Sequence, residues 1–131
     1  MTFRPINPPG TNIPGISQAT VIESGKLLLL SGHVPFRADG TIAGPGLKIQ
    51  LEQVFSNLED TLRVAGSSFA NVARLTIYVC DFRPELLPII RSVRDHFVDT
   101  ARPPASSLIG VAALFHPDVL IEIDAIATIS A

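Results

Sequence analysis

The sequence predicts an α+β domain in which a mixed β-sheet carries two helices packed on one of its faces. Three observations lead there. Leu47, Leu51, Val54, Phe55, Leu58, Leu62 and Ala65 recur at helical spacing and form one apolar stripe. From Val119 to Ile129 the chain alternates instead. Val119, Ile121, Ile123, Ala125 and Ala127 make an apolar face, and Leu120, Glu122, Asp124, Ile126 and Thr128 make the other. The third observation is order: a hairpin, a helix, a strand, a helix and two strands. Two strand–helix–strand passes place both helices on the same side of one sheet.

Each element has a local cause. Residues 1–15 hold four prolines and two glycines and read as an irregular arm. Ser17 to Glu23 alternates, and Ser24-Gly25 is a hairpin turn leading into Lys26–Ser31, an apolar strand expected to be buried on both faces. Gly32 to Pro35 ends that strand, Arg37–Gly40 is a turn, and Thr41–Gly46 a short edge. The first helix spans Leu47–Ala65, with Gly66 as its left-handed cap. Asn71–Cys80 is rich in β-branched and aromatic residues and reads as a central strand. The second helix covers Pro84–Val98, with Leu86, Ile89 or Ile90, Val93 and Phe97 inward. Pro88 fits only in its first turn, which puts the true start near Glu85. Pro103-Pro104 stops that helix, Ser106–Leu114 is a strand, and Phe115–Asp118 is the turn into the last one.

Composition narrows the class. The 131 residues fit one domain, 1–131, without repeats or linkers. They are 47% hydrophobic and 17% charged, with a mean hydropathy of +0.38. No apolar run approaches the ~18 residues of a membrane helix. The excess is therefore expected in a subunit interface, because strands apolar on both sides leave a sheet face for other copies to cover. A net charge of −2 argues against a nucleic-acid partner. The single Cys80 excludes an intramolecular disulfide and a Cys-rich zinc site, and the three histidines, His33, His96 and His116, lack metal-ligand spacing, so no metal is expected. The amino-terminal prolines are unlike a signal peptide, and a cytoplasmic location is the expectation.

Four motifs occur in order: Gly15-Ile16-Ser17-Gln18-Ala19, Leu30-Ser31-Gly32-His33-Val34-Pro35, the run from Val54 to Asp81, and Pro103-Pro104-Ala105-Ser106-Ser107 followed by Leu120-Ile121-Glu122-Ile123-Asp124-Ala125-Ile126-Ala127. Together they resemble the RidA/YjgF family of reactive-intermediate (imine) deaminases over nearly the whole chain. The resemblance implies a chorismate-mutase-like subunit, three of which close into a homotrimeric barrel with small-molecule clefts between subunits. It also implies hydrolysis of an enamine or imine to a ketone and ammonia, without a cofactor. The ribonuclease label sometimes attached to the family gains no support, since no basic-aromatic stripe is present.

The resemblance assigns roles residue by residue. The glutamate matching Glu122 lines the cleft and holds the attacking water; a carboxylate near apolar surface can act as base or acid near neutrality. Ser31, Gly32 and His33 match a segment whose backbone touches the ligand, and glycine permits close approach. His33 as a proton shuttle competes with a structural hydrogen bond at the strand end. Ser107 keeps its match. Two positions depart: Ile16 stands where many members have tyrosine, and Ser106 where the arginine that grips the substrate carboxylate is found. Losing such a charge-assisted pair costs on the order of 2–5 kcal/mol. The expected substrate is therefore neutral or cationic rather than a simple 2-imino acid, unless Arg37, Arg83 or Arg102 takes over. A non-catalytic metabolite-binding or partner-docking trimer on the same scaffold is the alternative.

Overall fold

In the computed structural model, which describes residues 2–130, the chain forms two sheets and two main helices. The elements are β1 (Phe3–Ile6), β2 (Ala19–Ile22), β3 (Lys26–His33), α1 (Leu47–Val64), β4 (Val72–Cys80), α2 (Leu87–Asp95), β5 (Ala105–Val111) and β6 (Ile121–Ile129). The main sheet has the order β3-β6-β4-β5. Its β4–β5 pair is parallel, and β6 lies antiparallel between β3 and β4. The two strand–helix–strand passes are thus present, with the last strand inserted into the first pass. Both helices cover one side, as the sequence predicts.

That covered side holds the core. Leu51, Val54, Phe55, Leu58 and Leu62 of α1 meet Leu75, Ile77 and Val79 of β4 and Ile121, Ile123, Ala125 and Ala127 of β6, all buried. Phe55 stacks on Phe97 with ring centroids 5.2 Å apart. Gly66 adopts φ 84 and caps α1, its N–H donating to Arg63 O. Pro88 sits at the start of α2, as expected, behind a 3-10 turn over Pro84–Leu86; Ile90, not Ile89, faces inward. Among the described residues no helix is long and apolar enough to cross a membrane.

The structure corrects six expectations. The amino-terminal arm contains a strand, and β2 pairs with β1 rather than with β3. β3 instead takes β6, because a nine-residue partner offers a longer ladder, from Lys26↔Ile129 to Leu30↔Ala125, than a four-residue β2 can. Pro5 is tolerated because β1 lies in a two-stranded ribbon, where every strand is an edge. β3 is not buried on both faces of the single chain: Leu30 is buried, but Leu27 and Leu29 are 62% and 72% exposed on the side without helices. Nor is β4 apolar on both sides, since Arg74, Thr76 and Tyr78 occupy its helix-free face. Finally, Thr41–Gly46 is a loop held by one bridge, Phe36↔Ile42, and β5 ends at Val111, so residues 112–120 form a longer connection than expected.

A strap runs from Ile13 to Ser17 along the free edge of β5. Ser17 bridges Ala105, its N–H donates to Pro104 O and its hydroxyl to Pro103 O. From α2, the buried Arg94 donates to Pro14 O at 3.2 Å and pairs with Asp95. Gly15 at φ +79 passes directly beneath that guanidinium, where an added Cβ would collide with it. Gly15→Ala is therefore expected to cost about 2 kcal/mol or more in urea unfolding. Gly10→Ala, at a similar φ of +80 but in open space, should cost less because only the backbone term remains.

Candidate functional site

The helix-free face of the main sheet collects the polar side chains. In register across it lie Glu122 opposite Tyr78, Asp124 opposite Thr76, and Ile126 opposite Arg74, with Ser107 opposite Thr76 on the far strand. Period-two alternation on each strand produces this arrangement. An extra residue at Ala73 in β4 lets both Val72 and Leu75 face the core while Arg74 turns outward.

Glu122 is set by a second irregularity. Between Leu30 and His33, β3 carries one more residue than the Ala125–Ile123 stretch it faces. This bulge falls on Ser31-Gly32, and the Glu122 carboxylate folds down onto Gly32: a Cβ built there would run into Oε2. Gly32 is thus the reason the carboxylate can lie against the backbone at the end of β3. Among the described residues no Lys or Arg pairs with Glu122 or Asp124, although both are half-buried. The nearest polar partnership is Tyr78, whose hydroxyl donates to Asp124 Oδ2 at 3.3 Å.

This acidic pair marks Tyr78. The Asp124 charge, some burial, the hydrogen bond to Asp124 and the Glu122 charge together push the phenol above 10.0, against a smaller opposing effect of Arg74. A raised folded-state value favours the neutral phenol, so its contribution to stability is present below the unfolded value and is lost as pH rises through the folded one. Tyr78 is the only tyrosine, so an alkaline titration of phenolate absorbance reads it alone. The midpoint is expected above that of the urea-unfolded chain, and Asp124→Asn should bring it down; coincident folded and unfolded midpoints would refute the close carboxylate.

The sequence-predicted residues separate into two groups. Glu122, Ser31, Gly32 and Ser107 share the helix-free side. Ser106 is in register with the core residue Leu75, and so lies on the helix side of β5. His33 is in register with Ile123, and both ring nitrogens are engaged, Nδ1 with Ser31 O and Nε2 with Thr61 Oγ1 of α1, each at 2.7 Å. Ile16 lies in the strap beyond the edge of β5. Within one subunit these three are not gathered around Glu122.

The arginines weighed as substitutes are partly committed elsewhere. Arg37 donates to Thr41 Oγ1, Ile42 O and Gly44 O within its own loop. Arg102 stacks over the Phe3 ring, 4.5 Å from its centroid, and donates to Phe3 O. Arg83 is exposed at the start of the 3-10 turn. The cation that does reach the helix-free face is Arg74, whose Nη2 donates to Ser107 Oγ at 3.1 Å. Its signal was in the sequence: Arg74, Thr76 and Tyr78 alternate with Leu75, Ile77 and Val79.

Residues 13–129 match the family model described as Endoribonuclease L-PSP. A RutC family protein of Aquifex aeolicus is 28% identical over 125 residues, covering 95% of this chain and 99% of that one. The crystal structure of a Yersinia pestis protein of unknown function, the conserved Rid family member YyfB, superposes with a TM-score of 0.91 at 40% identity, over 98% of this chain and 100% of that one. RidA from the Antarctic bacterium Psychrobacter sp. PAMC 21119 superposes with a TM-score of 0.71 at 26% identity, over 96% and 94%. With the motifs, the sheet order and the glutamate over the β3 glycine all in place, the chain belongs to the RidA/YjgF family.

Proposed function

We propose that this protein hydrolyses a reactive imine or enamine as a cytoplasmic homotrimer, with its sites in clefts between subunits. The observation that carries the reading is the Glu122 carboxylate lying on Gly32 without a cationic partner among the described residues. A half-buried carboxylate left free in this way is suited to hold a water by accepting its proton. Water held there attacks the C=N carbon. The nitrogen takes up a proton, the resulting carbinolamine loses ammonia, and the carbonyl product leaves. The substrate is already electrophilic, so the scheme calls on no cofactor. The exposed Leu27 and Leu29 beside Ile126 give the helix-free face an apolar half that other copies would cover. Sedimentation at three times 14.0 kDa is the expected result.

Ser106 in place of the arginine argues for a substrate other than a simple 2-imino acid. The test compares 2-iminopropanoate, generated in place by an amino-acid oxidase, with a neutral imine. Acceleration of the neutral imine over buffer, with little acceleration of 2-iminopropanoate, supports the reading. The alternative is a trimer that binds a metabolite without turnover. It is favoured by the placement of Ser106 and His33 on the helix side, and no acceleration of any imine, neutral or carboxylate-bearing, would select it.

A further inference from the structure

Among the described residues, the chemistry above leaves the cation Arg74 on the helix-free face unused. Arg74 is exposed, its hydrogen-bond partner is Ser107, and among the described residues no carboxylate pairs with it. Because Ser107 Oγ accepts from the guanidinium, its own proton is free to turn toward a ligand. A guanidinium N–H and a serine O–H are therefore both available to a carboxylate placed beside this pair.

Strand register locates that position relative to Glu122. Ser107 lies across from Thr76, Thr76 lies across from Asp124, and Glu122 is two residues along β6. Two interstrand spacings and two residues of rise separate the Cα atoms of Ser107 and Glu122 by about 12 Å. The Glu122 carboxylate leans the other way, over Gly32 of β3. Between the two poles stand Tyr78 and Asp124. In a 2-imino acid the carboxylate is bonded directly to the C=N carbon, so such a molecule cannot touch both poles of one subunit.

We propose that Arg74 and Ser107 form an anion subsite, and that the substrate is an imine or enamine whose carboxylate stands several bonds from the C=N carbon. The proposal rests on the reading of Glu122 as the water-holding group. It replaces the expectation of a neutral or cationic substrate, which counted only the arginine missing at position 106.

The experiment titrates oxo acids, as analogues of the carbonyl product, into wild type, Arg74→Gln and Arg74→Lys by calorimetry. Pyruvate, 4-oxobutanoate and 5-oxopentanoate form the series. The longer acids are expected to bind wild type at least tenfold more tightly than pyruvate. Arg74→Gln should lose at least tenfold toward the longer acids, and Arg74→Lys should recover part of it, having the charge without the fork. Pyruvate binding as tightly as the longer acids would overturn the proposal. So would Arg74→Gln binding them at wild-type affinity, or wild type binding none of them. Turnover of the imine of 5-oxopentanoate by wild type is measured separately: its absence strikes the Glu122 reading, while the titration still decides the anion subsite.

Discussion

Glu122→Gln is expected to lower hydrolysis of the imine that wild type turns over by about 10²–10⁴-fold, the usual contribution of a positioned acid–base group. The substitution keeps size and hydrogen-bonding capacity but removes the basic oxygen that would accept a proton from water. Stability should not fall with it. Among the described residues Glu122 has no ion-pair partner, and its neighbour across the strand, Tyr78, is satisfied by Asp124. Circular dichroism and urea unfolding at the wild-type midpoint would therefore accompany the lost turnover. Gly32→Ala offers an independent check that leaves the carboxylate in the chain. Its new methyl would occupy the space of Oε2 and force the side chain off the strand end, so turnover is expected to drop at least tenfold. If Glu122→Gln turns over at the wild-type rate, the water-holding role is wrong whatever Gly32→Ala does.

The second large effect is structural and lies beneath the site. Gln50, 3% exposed, joins three segments through one side chain. Its amide donates to Ala43 O at 3.1 Å and to Asp118 O at 2.6 Å, and its carbonyl accepts from Leu120 N at 2.8 Å. The loop before α1, the helix itself and the entry to β6 are tied together at this point. Gln50→Ala leaves two carbonyls and one N–H without partners in a mostly dry position, and is expected to cost about 3–4 kcal/mol in urea unfolding. Gln50→Glu separates hydrogen bonding from volume. It keeps the size and the acceptor for Leu120 but cannot donate to either carbonyl, so its loss should be at least as large. A cost below about 1 kcal/mol for both variants would mean that the loops are held by other contacts. Because Leu120 is two residues from Glu122, the same substitutions should also depress turnover.

The sequence by itself determined the two helices, the strands β2 to β6 and the core. Periods of 3.6 and 2 are properties of local backbone geometry, so the α1 stripe and the apolar face of β6 were readable before any partner was known. Even the polar face of β4 is written as Arg74-Thr76-Tyr78, masked by the hydropathy of the residues between them. The pairing of those elements was another matter. A turn such as Ser24-Gly25 suggests a hairpin, but the ladder goes to whichever strand offers the longest compatible edge, and that strand, β6, lies about a hundred residues further on. The bulges that lay Glu122 on Gly32 and turn Arg74 outward are likewise set by register between distant strands. Which face a residue such as Ser106 or His33 takes follows from that register, since a shift of one residue exchanges the two sides of a strand. Local sequence fixes period; only the assembled sheet fixes phase, and the site is a matter of phase.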